Sequence, residues 1–534
     1  MQREFNEQEK KILSCYCTNL DKNVYGLINL PQIVCGALFS RYSRSSKSAR
    51  EVLLDEFIKD PNMNFEQIVQ KIQNANEQMN ATQKAEEFYN RVLVGYGDDS
   101  VAELGGAHVA IEQISNIATK FIEDSRIGLS PLEKSTRYVY FDQKDNNNNY
   151  SYYKGQEIIE SKVGKEYIKT CDYLFDTYSR LIKEVYQKLT EKYPQGLDVS
   201  KRAYESTIKA KTCDIIRGLL PASTLTNMGI YGNGRAYEYL LTKMYASDLV
   251  EINKLADQLY EELSKIIPSF VKRIKNPHGQ EMINYLKNTK NEFKKYIKEK
   301  YSPRHKSQDK MLRLIYYDKE GYGKVISAIL FEAGLDFEDA INLTSKLEQK
   351  EKDLIVEKYV GQRKNRRHKP GRAFEMPYYT FEICANFGIY RDIQRHRILT
   401  QARQNLDCYL GYDVPKELEE FGFKEEFKDA MELAKDTYIL MENELGKEIA
   451  QYVVPMAYKI KWMINLNLRE AFHLIELRSS VQGHQDYRKL VINIFDEIKK
   501  VHPDLAKYAI FVNTSAVELE RLEAEKKIDQ KLNK

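Results

Sequence analysis

Two stretches of this chain carry the same succession of apolar and polar positions. In the first, Leu219-Leu220-Pro221 is followed by Asn233 and Arg235, then by Glu251 and a run ending at Pro268. In the second, Val453-Val454-Pro455 is followed by Asn467 and Arg469, then by Asp486 and a run ending at Pro503. The intervals between these markers are 12, 2, 16 and 17 residues in the first set and 12, 2, 17 and 17 in the second. Agreement over four intervals marks an internal duplication. The closing runs agree in pattern too. Ile252, Leu255, Ala256, Leu259, Leu263 and Ile266 recur at helical spacing, as do Tyr487, Leu490, Val491, Ile494, Phe495 and Ile498. Each set predicts a helix with one apolar stripe, stopped by a proline and facing a core.

Upstream of the first marker the spacing predicts a helix over 107–123, with Ile111, Ile114, Ala118 and Phe121 on one face. It leads into a polar loop bearing Ser130, Glu133, Ser135, Arg137 and Tyr138. The segment YVYFD at 138–142 reads as strand-like, and the asparagine run at 145–149 as a surface loop. The first repeat is longer than the second between this region and Pro221, so that loop and the helix after it read as an insertion. The Lys-, Asn- and Glu-rich stretch around 270–310 reads as a linker or solvated helix. These features divide the chain into a first domain over 1–275, a linker over 276–310 and a second domain over 311–534.

Composition narrows the class. At 534 residues the chain is long enough for more than one core. Its seven cysteines form no CxxC pair, and neither they nor the eight histidines show a metal-ligand spacing. This argues against a disulfide framework and a structural zinc site. No run reaches the ~18 apolar residues of a membrane span. The charged N-terminus MQREFNEQEKK lacks the apolar centre of a signal peptide, so a cytoplasmic location is expected. A net charge of +4 without a basic tail gives no case for non-specific nucleic-acid binding. Arg41, Arg44 and Arg50 in ALFSRYSRSSKSAR could line a pocket or touch a phosphate backbone, or form a solvated stretch.

Two clusters could carry chemistry. Ser135 and Arg137 suit a phosphate, because arginine donates in a fork and serine adds a hydroxyl; a turn with a surface ion pair is the plainer alternative. Arg395-His396-Arg397 suits the pyrophosphate of a dinucleotide, or forms a surface basic cluster.

Here the chain resembles the flavin-dependent thymidylate synthases (the ThyX type), which carry the signature RHRxxSxNExSxRY. The first copy, Ser125 to Tyr138, keeps the right side of the signature: Ser130, Glu133, Ser135, Arg137 and Tyr138. Its left side departs, with Ser125, Arg126 and Ile127 in place of RHR and Leu132 in place of Asn. The second copy, Arg395 to Cys408, keeps Arg395, His396 and Arg397 and departs on the right, with Ala402, Arg403, Asn405 and Asp407-Cys408. GDDSVAEL, with Ser100 and Glu103, is similar to the family's GHxSxxEH segment, and Glu375 stands at the matching place of the second copy.

The resemblance implies an α+β fold: two tandem ThyX-like domains, each a twisted sheet packed with long helices. It implies nucleotide contacts from Glu133, Ser135, Arg137, Tyr138 and Arg217, where the second copy has Gln451. Flavin contacts fall on Arg395, His396, Arg397 and on the repeated Asn-x-Arg pair, Asn233/Arg235 and Asn467/Arg469; His473 also fits the family pattern. Arg478 matches the arginine that acts on the uracil ring, where the first copy has only Lys243 or Met244. The implied reaction is methylation of dUMP, with FAD as cofactor, NADPH and methylene-tetrahydrofolate as possible co-substrates, and no metal. Because the two copies keep complementary halves of the signature, one composite site per pair is expected. A homodimer of such chains would reproduce the four-domain assembly of the family. Two alternatives stay open: a pseudoenzyme that binds nucleotide or flavin without turnover, and a flavoenzyme acting on a different pyrimidine.

Overall fold

The computed structural model describes residues 3–43, 45–61, 65, 102–301 and 310–532. The chain is α+β, with two separate sheets and long helices among the described residues, and it forms two compact units. The first comprises Met1–Glu112, Phe121–Glu133 and Asn227–Pro303; the second comprises Gln113–Lys120, Lys134–Thr226 and Arg304–Lys534. Much of the first repeat therefore belongs to the same compact unit as the second repeat.

Strands β1 (Gly106–Ser115), β2 (Leu129–Glu133) and β3 (Leu225–Asn233) form one sheet in the order β1-β3-β2. The expected helix over 107–123 is thus a strand followed by the shorter helix Asn116–Glu123. Ala107, Val109 and Ile111 alternate with His108, Ala110 and Glu112, a period of two that favours the strand, and Gln113 takes a positive φ of 57° before the helix begins. Ser130 and Glu133 lie on β2 rather than in a loop, because β2 pairs antiparallel with β3 from Leu129↔Gly232 to Glu133↔Met228. Residues 138–142 form turn and irregular backbone, not a strand. The first unit also holds helices Gly234–Tyr245, Val250–Ile266 and Pro277–Tyr301; the last takes up most of the stretch read as a linker or solvated helix.

In the second unit β4 (Leu312–Tyr317), β5 (Tyr378–Asn386), β6 (Thr400–Arg403) and β7 (Lys459–Asn467) run in the order β4-β5-β7-β6. Ile460, Trp462, Ile464 and Leu466 of β7 are buried at every second position. Helix Gln485–Val501 packs with helix Leu468–Arg478 and buries Tyr487, Leu490, Val491, Ile494 and Ile498 of the stripe expected from spacing, with Phe495 half-buried.

The repeat markers meet inside this unit. Pro221 and Pro455 form an antiparallel bridge. Ala222 N–H donates to Val454 C=O (2.8 Å) and Met456 N–H to Leu220 C=O (2.9 Å), a reciprocal pair. Neither proline has an N–H, so the residue after each makes the bond. Helices Gly164–Lys192 and Lys424–Leu445 pack together, with the buried hydroxyls of Thr170 and Thr437 2.7 Å apart. The extra length of the first repeat includes helix Lys201–Ile216, where the second repeat has only Lys447–Ala450 before the matching turn.

Candidate functional site

The Asn-x-Arg pairs are built alike in both repeats. Asn467 ends β7 and caps the next helix, its Oδ1 accepting from Glu470 N–H at 2.9 Å. Two residues on, Arg469 donates to the Pro370 carbonyl (2.8 Å) and to Glu375 (3.2 Å). In the first unit Asn233 caps its helix through Ala236 N–H (2.8 Å), and Arg235 pairs with Glu103 (2.8 Å). The Glu103–Arg235 and Glu375–Arg469 ion pairs are one device used twice.

Arg395, His396 and Arg397 follow the short helix Phe387–Ile393 and part company in exposure: the two arginines are exposed and His396 is buried. His396 Nδ1 lies 3.2 Å from Glu470 Oε1, and its Nε2 accepts from Arg478 Nε at 3.0 Å. His473 Nδ1 lies 3.2 Å from Glu470 Oε2. Burial drives the His396 imidazole down to about 4, against the opposing pull of Glu470. Burial alone would raise the Glu470 carboxyl, but hydrogen bonds with His396 and His473 outweigh it and hold it below its ordinary value. Arg478 is half-buried, and desolvation lowers its pKa as well. His396, Glu470 and His473 have the composition of a cation site. The arginine N–H directed at Nε2 places the imidazole proton on Nδ1, however, so these side chains connect as a hydrogen-bond relay.

The first repeat reaches this region through two arginines. Arg137 grips Asp214 with both ends of its fork, Nε to Oδ1 at 2.8 Å and Nη2 to Oδ2 at 2.7 Å. Arg217 donates through Nη1 and Nη2 to Asp392 Oδ2, each at 3.2 Å. Asp214 comes from the helix peculiar in length to the first repeat; Asp392 stands three residues before Arg395. Burial would raise both carboxyls. Arg137 overcomes it at Asp214; at Asp392 Arg217 does so foremost, with Arg137, Arg395 and Arg478 adding to it, and both stay below their usual range. Burial works against the charge of Arg137 too, yet Asp214 pushes its pKa well above the ordinary value. Gly388 makes room for the Arg217 guanidinium, since a Cβ there would stand 3.2 Å from Nη2.

Tyr487 joins the repeats. Its hydroxyl accepts from Arg137 Nη1 at 3.4 Å, and the guanidinium carbons of Arg137 and Arg478 each lie 5.7 Å from its ring centroid. Two further cross-repeat bonds flank Asp392: Arg391 to Thr136 Oγ1 (3.3 Å) and Gln394 to the Lys120 carbonyl (2.9 Å). Beside these groups opens a cavity of about 370 Å³ whose wall includes Asp214, Arg217, Asn386, Asp413, His484 and Asp486. Lys211 on the same wall is held by Glu520 (3.0 Å) and Glu417 (3.2 Å).

The remaining expected residues fall as follows. Ser135 Oγ accepts from Arg137 N–H at 3.2 Å and shapes that turn. Tyr138 is exposed and receives a hydrogen bond from Arg521. Glu133, Asn233 and Arg235 belong to the first compact unit, whereas Ser135, Arg137, Tyr138, Arg217, Arg395, His396, Arg397, Asn467, Arg469, His473 and Arg478 share the second. Gln451, the counterpart of Arg217, serves structure: its Oε1 accepts from Leu406 N–H (3.0 Å) and its Nε2 donates to Glu448 C=O (3.1 Å). Arg403 ends β6 and Asp407 lies in irregular backbone. Arg41 pairs with Glu56 (2.6 Å), and Arg50 is buried over the Tyr25 ring; Arg44 and Ser100 lie outside the described residues. All seven cysteines are free thiols. Among the described residues no helix is long and apolar enough to cross a membrane. Sequence reading passed over Asp214, Asp392 and Glu470, and took Tyr487 only as core.

A repeated strand–Asn cap–helix unit, with arginines of one repeat set against the Arg-His-Arg segment of the other, is a tandem ThyX-like arrangement. The chain belongs to the thymidylate synthase complementing protein family, whose model matches it twice, over residues 60–269 and 315–504. It is 42% identical over 525 residues to a UPF0159 protein of Chlamydia muridarum, covering 98% of each chain. It is 35% identical to a UPF0159 protein of Thermoplasma acidophilum, over 92% of this chain and 97% of that one. It is also 26% identical over 211 residues to the flavin-dependent thymidylate synthase of Sulfolobus acidocaldarius, over 37% of this chain and 76% of that protein.

Proposed function

We propose that this protein carries out flavin-dependent one-carbon transfer to C5 of a uracil nucleotide, dUMP to dTMP, at one composite site drawn from both repeats. The observation that carries this reading is the placement of Arg137 and Arg478, one from each repeat, against the single ring of Tyr487. Arg137 and Arg217 bind the nucleotide phosphate, and Arg478 faces the base and favours its ionised form. Exposed Arg395 and Arg397 are a donor set suited to the FAD pyrophosphate. Asn467 caps the helix that carries Arg478, and Arg469 is held by Glu375. When bound, reduced flavin supplies the electrons, with NADPH as reductant and methylene-tetrahydrofolate as one-carbon donor. Two chains in a homodimer would reproduce the four-domain assembly.

Asp214 and Asp392 favour a second reading. Both phosphate-side arginines already carry a carboxylate partner, which an arriving phosphate must displace or share. A pyrimidine without a phosphate, or binding without turnover, fits that charge balance. The deciding experiment is turnover with FAD, NADPH and methylene-tetrahydrofolate, comparing dUMP with deoxyuridine. Formation of dTMP supports the primary reading. Conversion of deoxyuridine alone, or binding without product, moves the conclusion to the second.

A further inference from the structure

We infer that Glu470 is a positioning residue for Arg478, acting through His396 without touching the arginine itself; the inference rests on the assignment of Arg478 to the pyrimidine ring. Glu470 stands in the first turn of helix Leu468–Arg478, with its backbone N–H fixed by the Asn467 cap. Its carboxylate is buried and faces Nδ1 of both histidines. Arg478 has no acceptor to offer, so its Nε–H must donate to His396 Nε2, and a neutral imidazole then carries its proton on Nδ1. Glu470 is the acceptor for that proton. The chain carboxylate–imidazole–guanidinium therefore has one consistent set of donors and acceptors. It fixes the plane of the planar guanidinium by holding Nε.

Removing the carboxylate leaves Nδ1–H buried without its partner, and the ring can turn or shift its proton to Nε2. Two N–H groups would then oppose each other at the Arg478 junction, and the guanidinium would lose its orientation. His473, on the other carboxylate oxygen, keeps Glu470 from swinging away.

The test uses the full-length protein in two measurements. In the first, histidine-selective ¹⁵N NMR without cofactor, with His396 assigned by its loss in His396→Gln, should show Nδ1 protonated and Nε2 bare. Glu470→Ala should give a mixture of tautomers. Glu470→Gln, which keeps an acceptor oxygen, should hold the wild-type form. In the second, Glu470→Ala should lower kcat roughly 10- to 100-fold through misplacement of the arginine, with flavin affinity unchanged, and Glu470→Gln should recover most of it. A wild-type His396 protonated on Nε2 overturns the inference even if Glu470→Ala does not fold. So does an Ala variant with unchanged tautomer and kcat, or one whose kcat and flavin affinity fall together without recovery in Gln. If the wild type shows no turnover, the proposed function fails, and the NMR result alone still decides whether the relay exists.

Discussion

His396 is buried and neutral, and this makes the stability of the second unit sensitive to mild acid. Its imidazole is driven down to about 4 by burial, whereas an exposed histidine titrates near ~6.5. Between those values the unfolded chain takes up a proton that the folded chain refuses, so unfolding is favoured as pH falls. The loss sets in near pH ~6.5, is complete below about 4 and amounts to roughly 3 kcal/mol. Thermal unfolding followed from pH 7 to 4 should therefore show a falling midpoint in the wild type and a flatter profile in His396→Gln; parallel profiles would contradict the burial of a neutral ring. Asp214 and Asp392, held below the ordinary carboxyl range, act lower, and their contribution fades only below pH ~4. At this scale the sequence was legible in part. Arg137, Arg217 and Arg478 could be found by their place in a motif. Their carboxylate partners could not, because Asp214 lies 77 residues from Arg137 and Asp392 lies 175 from Arg217, and a pair so separated leaves no spacing to read. Glu470 did carry a signal, since it directly follows the Asn-x-Arg pair.

Among the elements, the repeat expected from four intervals acquires a physical reason. Each prolyl marker starts a turn into a strand, β3 or β7, and each strand ends on the asparagine that caps the next helix. The intervals are conserved between copies because strand length and cap position are. The helix expected over 107–123 failed at its start because its face of Ile111, Ile114, Ala118 and Phe121 begins only at Ile111, while Ala107, Val109 and Ile111 follow the strand period, and pairing in a sheet decides between them. The joint between helices Gly164–Lys192 and Lys424–Leu445 offers a direct check. Thr170 and Thr437 share a buried hydrogen bond of 2.7 Å. Thr170→Val and Thr437→Val should each cost about 1 kcal/mol or somewhat more by stranding the other hydroxyl, while the double variant should cost less than the sum. Strict additivity in urea unfolding would mean that the two hydroxyls do not depend on each other.

Across the whole molecule, two diverged copies keep complementary halves of one signature, and the proposed composite site draws on both. The second compact unit gathers Arg137 and Arg217 from the first repeat with the Arg-His-Arg segment and Arg478 from the second. The counterpart position of Arg217 is given over to structure by Gln451, whose side chain ties Leu406 and Glu448 together. The complementary halves of the signature were legible in the sequence; that Arg137 of one repeat and Arg478 of the other flank the ring of Tyr487 was not, because Tyr487 sits on an apolar stripe where periodicity marks it only as core. The measurement that tests the composite site most directly is a visible-absorption titration with FAD, followed by dUMP, on the wild type, Arg137→Ala and Arg395→Ala. One shared site predicts that the wild type binds FAD and that its flavin bands shift with dUMP. Arg137→Ala should keep the flavin and lose the shift, and Arg395→Ala should lose flavin. A nucleotide-dependent shift that survives Arg137→Ala, or a loss of flavin with nucleotide in both variants alike, would contradict a division of labour between the repeats.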